Sequence, residues 1–105
     1  MKGRFMTMIR KFNRDYMKSQ VLEGLSKLVG KPLTLNDVGM EATRLNYDEL
    51  DLQLIPENIQ KSLPLWVIVY DFSIDGFFAY AVVDDEQHQL FVIGVMQNGD
   101  LLCYL

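Results

Sequence analysis

The chain has 105 residues, half of them apolar and 23% charged, with one cysteine, one histidine and a formal net charge of −4. This length allows a single domain, 1–105, with a hydrophobic core of ordinary size. No apolar run is long enough to span a membrane, and Lys2, Arg4, Arg10 and Lys11 interrupt the apolar residues that a signal peptide would need. A lone cysteine excludes an internal disulfide framework and indicates a reducing, cytoplasmic compartment.

The charge is divided unevenly along the chain. Residues 1–31 hold eight Lys/Arg and two Asp/Glu, a net +6, whereas residues 32–105 hold two and twelve, a net −10. The basic segment could contact phosphates, but its cations are spread among apolar residues and the overall pI is near 4.8. We therefore expect the basic segment to be matched to the acidic remainder of its own chain, and nucleic acid not to be a ligand.

Residues 1–31 predict a helical segment. Phe5, Met8, Ile9, Phe12 and Tyr16 have the spacing of one helical face. A second apolar face follows, made by Met17, Val21, Leu25 and Leu28. The change of face predicts either one curved helix or a break at 13–15, where Asp15 would cap a new start.

The end of this segment is marked by Gly30 and Pro32, which favour a helix C-terminus just before them.

Residues 32–64 predict an irregular segment with short elements. Asn36 or Asp37 would cap a short helix through Arg44, although Gly39 weakens it. The alternation of residues 50–54 is typical of a short half-buried strand. Pro56 suits the first turn of a short helix that Pro64 ends.

Residues 65–105 predict four antiparallel strands joined by short turns. The strands are Leu65–Phe72, Phe77–Val83, Leu90–Met96 and Leu101–Leu105, all rich in β-branched and aromatic residues. Asp75-Gly76 and Asn98-Gly99 are hairpin-turn dipeptides. The fold class is therefore predicted as α+β, an N-terminal helix packed on a four-stranded antiparallel β-meander with an irregular middle segment. This element order resembles that of helix-on-meander domains such as cystatin-like folds, without a family motif.

Loops of even length assign the strand residues to two faces. The first face would hold Trp66, Ile68, Tyr70, Phe72, Phe77, Ala79, Ala81, Val83, Leu90, Val92, Gly94, Met96, Leu101, Cys103 and Leu105. The second would hold Leu65, Val67, Val69, Asp71, Phe78, Tyr80, Val82, Asp84, Phe91, Ile93, Val95, Leu102 and Tyr104. Small residues on the first face, Ala79, Ala81 and Gly94, would leave a trough for the helix.

The second face is too apolar to stand in water, because a sheet with one wet face alternates apolar with polar residues. Two coverings are possible: residues 33–64 fold across it, or a partner or a second copy of the chain does.

Three groups of residues suggest chemistry. The segment 71–76 matches the first half of a calcium loop, but Val82 replaces the bidentate glutamate at its twelfth position, so we expect a hairpin turn. Asp84, Asp85, Glu86 and His88 form an acidic cluster that we interpret as a solvated turn or as an epitope for a basic partner. Cys103 lies in a strand away from His88, so we expect a packed core thiol and no nucleophile.

No catalytic constellation emerges, and we predict a protein that is not an enzyme and needs no cofactor or metal. The leading hypothesis is a small acidic inhibitory protein, such as an immunity protein or antitoxin, that neutralises a basic toxin by binding it. Toxins that are nucleases contact phosphates and are therefore basic. The alternative is a self-associating structural or ligand-binding α+β domain, with a homodimer formed through the second face. The predicted partner contacts are Asp71, Asp75, Asp84, Asp85, Glu86, Phe78, Tyr80 and Tyr104.

Overall fold

The computed structural model describes residues 9–105 and has an α+β architecture, in which a helix packs on an antiparallel sheet of six strands. The helices are α1 (Arg14–Val29) and α2 (Glu57–Gln60). The strands are β1 (Arg10–Lys11), β2 (Gly39–Asn46), β3 (Trp66–Ile74), β4 (Phe77–Asp84), β5 (Gln89–Gln97) and β6 (Asp100–Tyr104). None of the described helices is long and apolar enough to cross a membrane.

Helix α1 begins and ends at recognisable caps. The Asn13 side chain accepts a hydrogen bond from the Tyr16 amide at 2.9 Å, so Asn13 is the N-cap and Asp15 lies in the first turn. Gly30 ends the helix at φ 86°, a left-handed conformation that glycine adopts without strain, and donates its amide to Ser26 O. The predicted end of the helix is thus confirmed, and the helix begins within residues 13–15 as one alternative expected, with Asn13 and not Asp15 as its cap.

The predicted helical face before this break is wrong where the structure describes it. Ile9 and Phe12 precede α1, and Arg10–Lys11 form β1, which pairs with Leu90 and Gln89 of β5. Backbone pairing to the open edge of β5 outweighs the helical periodicity of so short a stretch. Phe5 and Met8 lie outside the described residues.

The meander of four strands is present but is part of a larger sheet. The strand order is β1-β5-β4-β3-β2, and β6 also pairs with β5, on the same side as β1. Both predicted turns form, with positive φ at Asp75, Gly76, Asn98 and Gly99. The prediction of four strands is corrected to six because β1 and β2 come from segments that were expected to be helical.

The middle segment departs most from its prediction. Where a short helix through Arg44 was expected, β2 pairs with β3 over eight residues, from Gly39↔Ser73 to Asn46↔Trp66. Where a strand over 50–54 was expected, two 3-10 turns occur at Tyr47–Glu49 and Leu52–Leu54. The predicted helical turn after Pro56 is confirmed as α2.

Two β-bulges change the predicted faces of β5 and β6. Val82 and Val83 pair with Val92 and Leu90, so Phe91 is an extra residue in β5. Val95 and Met96 pair with Cys103 and Leu101, so Leu102 is an extra residue in β6. After the first bulge, the residues of β5 lie on the face of the sheet opposite to the predicted one. After the second bulge, from Cys103 onward, the residues again lie on their predicted faces. The residues whose predicted faces are wrong are Val92, Ile93, Gly94, Val95, Met96 and Leu101.

The sheet separates two hydrophobic cores. On the side that we call the helix side, Met17, Val21 and Leu25 of α1 are fully buried against Ala79 and Ala81. The other members of this core include Tyr70, Phe72, Val83, Leu90, Ile93 and Val95. The trough for the helix therefore exists, although Gly94 faces the opposite side.

On the opposite side, which we call the second side, the middle segment covers the sheet. Ile55 and Ile59 are buried there, and leucines of the segment pack beside them. They contact Val67, Val69, Tyr80, Val82, Phe91 and Val92 of the sheet. Of the two coverings that the sequence left open, the internal one is therefore present over this part of the face.

Candidate binding site

An open cleft of about 410 Å³ remains on the second side, between the middle segment and the sheet. The segment contributes Leu45, Glu49, Leu50, Asp51, Leu54 and Ile55. The sheet and its turns contribute Val69, Asp71, Phe78, Ala79, Tyr80, Val82, Met96 and Gly99. An irregular segment with 3-10 turns cannot fill the regular surface of a sheet as a helix does, which leaves this space.

A second depression continues the cleft toward the sheet edge. It shares Asp71 and Phe78 with the cleft and is also lined by Gly39, Met40, Glu41 and Ser73. We call the cleft and the depression together the acidic groove. Its floor is apolar, and Phe78 beside it is 48% exposed.

The charges of the acidic groove have one sign. Glu41, Glu49, Asp51 and Asp71 line it, and it has no Lys, Arg or His among its described lining residues. Glu49 accepts a hydrogen bond from the Asn46 amide and Asp51 from the Gln53 amide, so these two carboxylates also serve the local turns. The side chains of Glu41 and Asp71 form no hydrogen bond or ion pair within residues 9–105.

Glu41 and Asp71 are directly opposite each other on β2 and β3. Like charges at opposed positions of an antiparallel pair are destabilising. Burial against the groove raises the pKa of Asp71, and the neighbouring Glu41 carboxylate raises it further. A cation placed over this pair would relieve the repulsion.

Tyr80 forms part of the floor of the groove. It is 6% exposed, and its hydroxyl donates a hydrogen bond to Leu54 O, which ties the middle segment to β4. Its ring lies over Gly94, where a Cβ atom would collide with it. Burial raises the pKa of Tyr80, with smaller contributions from Tyr104 and Asp51. Tyr80 therefore shapes the groove and is not a free surface aromatic.

The other predicted contact residues lie at three separate places. Asp75 is at the β3–β4 turn, whereas Asp84, Asp85 and Glu86 are at the opposite end of β4. Eight residues of strand separate these ends by roughly 25 Å, so the two acidic turns do not form one patch. Tyr104 is half-buried on β6 opposite Gly94. Of the predicted set, the groove brings together Asp71, Phe78 and Tyr80.

The turn at Asp84 has a structural explanation. Asp84 Oδ1 accepts hydrogen bonds from the amides of His88 at 2.7 Å and Gln89 at 2.6 Å. Ligand atoms of Asp84, Glu86 and His88 lie within 4.8 Å of one another. Because Asp84 is already held by two amides and Glu86 and His88 are exposed, this arrangement is that of a solvated turn. Asp85 forms an ion pair with Arg44 at 3.1 Å, and the Arg44 guanidinium stacks over Trp66.

Two expectations about other residues are corrected. Cys103 is exposed beside α1, because β6 is an outer strand and does not bury it. From residue 9 to residue 31 the basic segment forms no ion pair with the acidic residues, since Arg44–Asp85 is the one ion pair in the described part of the chain, and Lys2 and Arg4 lie outside that part. Arg10 and Arg14 instead donate to Leu105 O, Tyr70 Oη and Gln87 Oε1.

Sequence reasoning missed Glu41, Glu49 and Asp51 as site residues. Glu41 lies in a segment that was interpreted as a helix, and an edge strand exposed on both faces shows no alternation to correct that interpretation. The weakening Gly39 was the one signal against a helix there.

Comparison with known proteins finds no family model that matches this sequence, no similar curated protein and no similar solved structure.

Proposed function

We propose that this chain is a small acidic binding protein that captures a basic partner protein at the acidic groove and blocks it. An immunity protein or antitoxin acts in this way on a basic toxin such as a nuclease. The observation that supports the proposal is the opposed pair Glu41 and Asp71, two carboxylates that have no cation partner among residues 9–105 and lie beside an apolar cleft. The proposal gives the chain no catalytic role.

The chemistry of the groove favours a partner surface that combines an apolar side chain with a Lys or Arg. Burial of the apolar side chain between Leu54 and Phe78 would supply hydrophobic free energy, and aromatic residues are frequent binding hot spots. The cation would offset the repulsion between Glu41 and Asp71, so its charge contributes more than at an isolated carboxylate. A surface that must contact phosphates presents the Lys and Arg side chains that this pair would bind.

The turn at Asp84–Glu86 has a separate role in this proposal. It lies at the far end of β4 from Asp75 and exposes Glu86 to solvent, whereas Asp84 and Asp85 are partly buried and already have partners. Exposed acidic groups raise the association rate of an oppositely charged partner without adding much to the final contact. Reversing the charge of Glu86 should therefore slow association at low salt and leave dissociation unchanged.

Affinity capture from the native host tests the proposal. The bait is the full chain, compared with the double variant Glu41→Gln, Asp71→Asn and with the matched variant Glu23→Gln, Glu57→Gln, which removes the same charge elsewhere. We expect a basic protein to bind the first and third baits, with affinity for the double variant reduced about 100-fold, as for charges lost from a buried contact. The purified chain should also inhibit the activity of that protein.

Two outcomes would contradict the proposal. One is a captured partner that binds the double variant as tightly as the unmodified chain. The other is a partner that retains full activity in the saturated complex.

The alternative is a self-associating or ligand-binding domain, and the exposure of Phe78 beside a 410 Å³ cleft favours it. In that case Phe78→Ser would dissociate a dimer in sedimentation velocity at micromolar concentration. A protein that remains monomeric in this measurement, with nothing bound in the groove, would exclude the dimer.

A further inference from the structure

The outer edge of β2 is open. β2 is the last strand in the sheet order, and eight residues of it pair with β3 on one side only. Within the described residues, no backbone hydrogen bond joins 39–45 to any element other than β3. Six of its eight residues are exposed.

This edge lacks two of the devices that natural proteins use to prevent strand pairing, proline and a β-bulge, and its charged residues are Glu41 and Arg44. β2 contains no proline, and its register with β3 runs without a bulge from Gly39 to Asn46. A regular unpaired edge of this length offers a row of backbone donors and acceptors to an incoming strand.

The open edge is continuous with the acidic groove. Gly39, Met40 and Glu41 of β2 line the part of the groove that lies beside Asp71 and Phe78. A strand added to β2 would therefore place every second side chain on the second side of the sheet, next to Glu41.

We propose that the partner contributes an extended basic segment, which adds to β2 as a further strand and places a Lys or Arg beside Glu41 and Asp71. This inference rests on the proposed function and specifies how the partner is held. Backbone hydrogen bonds to β2 supply affinity, and the charge of the alternate side chains supplies selectivity.

A second copy of this chain would complement the charges along the edge of β2 less well than a basic segment does. Strand alternation places Gly39, Glu41, Thr43 and Leu45 on the second side. In an antiparallel dimer, a twofold axis perpendicular to the sheet keeps each residue on its own side of the sheet. In any such register Glu41 would therefore lie opposite one of these four residues of the second copy. None of the four is a cation. Arg44 lies on the other side, held by Asp85 and Trp66. Charge complementarity thus favours a basic foreign segment.

Selection of a library of random 12-residue peptides on the full chain tests this inference. We expect the enriched peptides to contain Lys or Arg at alternate positions. Single backbone nitrogens are then methylated, one at a time, in the peptide that binds most tightly. Methylation at every second residue should lower the affinity about tenfold, and methylation at the residues between them should change it little, because only alternate amides face β2. Bound peptide should slow hydrogen exchange of amides within 39–46 and not within α1.

Variants of the chain supply the charge control. Glu41→Gln should weaken the selected peptide about tenfold, and Glu23→Gln should leave its affinity unchanged. Circular dichroism would establish that both variants are folded. Since both side chains are exposed, neither substitution should disturb the core.

The outcomes separate this inference from the proposed function. Peptides that depend on Glu41 and Asp71 but tolerate every backbone methylation would overturn strand addition and leave the acidic groove as the partner site. Peptides that show the two-residue methylation pattern without basic residues would support strand addition and contradict a basic partner. Self-association through β2, or a selection that yields no peptide bound at this edge, would overturn the inference.

Discussion

The two sides of the sheet are covered in different ways. On the helix side, α1 presents Met17, Val21 and Leu25 at intervals of one turn, and all three are fully buried. On the second side, the cover is a segment of 3-10 turns and one short helix, and an open cleft remains beside it. The first cover is regular and closed, whereas the second is irregular and open.

This difference gives the two sides of the sheet different surfaces. A helix whose apolar residues recur along one face packs closely on the sheet along that face, so Met17, Val21 and Leu25 leave little space beneath α1. A cover made of short turns exposes its carboxylates at the rim and leaves apolar residues accessible between them. The groove thus exists because the second cover is incomplete.

The largest expected effect is the loss of a helix-side contact. Leu25→Ala should lower the free energy of unfolding by about 3 kcal/mol, because it leaves a cavity in a closed core. Leu54→Ala, at the half-buried rim of the cleft, should cost about 1 kcal/mol, because less apolar area is lost there. Urea denaturation measures both. Equal losses would show that the two covers are equally tight.

The next effect concerns the glycines that lie under side chains. Gly94→Ala should lower the free energy of unfolding by about 2 kcal/mol, because its Cβ would collide with the Tyr80 ring. Gly24→Ala on the helix side is the matched variant. Its Cβ would meet only the flexible end of the Leu105 side chain, at 2.8 Å. Alanine is also more favourable than glycine within a helix, by about 1 kcal/mol. We expect it to be close to neutral. A neutral Gly94→Ala would contradict the position of Tyr80.

A smaller effect on stability is expected from loss of the hydrogen bond that holds the middle segment against the sheet. Tyr80→Phe removes the hydroxyl that donates to Leu54 O and should cost about 1 kcal/mol. Hydrogen exchange should accelerate at residues 50–60 more than in α1, since only the second cover is released. Uniform acceleration would mean that the two covers unfold together.

The smallest effect is a gain of stability at the groove. The pKa of Asp71 is raised in the folded state, so the folded state holds this proton to higher pH than the unfolded state does. Stability from this group is therefore present at low pH and falls as the pH rises through the unfolded pKa of 3.8 toward the folded value. Asp71→Asn should stabilise the chain at pH 7 by about 0.2–1 kcal/mol, the range for opposed like charges.

The pH dependence supplies the check on this prediction. The gain from Asp71→Asn should disappear below pH 3.8, where the carboxyl is protonated in both states. A loss of stability at pH 7 would show that Asp71 has a favourable partner.

Local signals predicted the elements whose chemistry is local. The C-terminal cap at Gly30, the hairpin turns at Asp75 and Asn98, and the buried face of α1 all follow from conformational preference and periodicity. The edge strand β2 was not predictable in this way, because six exposed residues carry no alternation and its pairing with β3 is set by distant residues. The bulges at Phe91 and Leu102 depend on the fit between strands and left no mark in the sequence.

The sequence by itself determined the α+β class, the C-terminal limit of α1, the meander and the acidic character of residues 32–105, because these depend on composition and on neighbours along the chain. Only the tertiary structure decided where the acidic charge is concentrated. Pairing of β2 with β3 brings Glu41 opposite Asp71, and folding of the middle segment over the sheet adds Glu49 and Asp51 to the same groove. The net charge of −4 does not reveal this local concentration of carboxylates. The reason is that contacts between residues far apart in the chain follow from packing and not from periodicity.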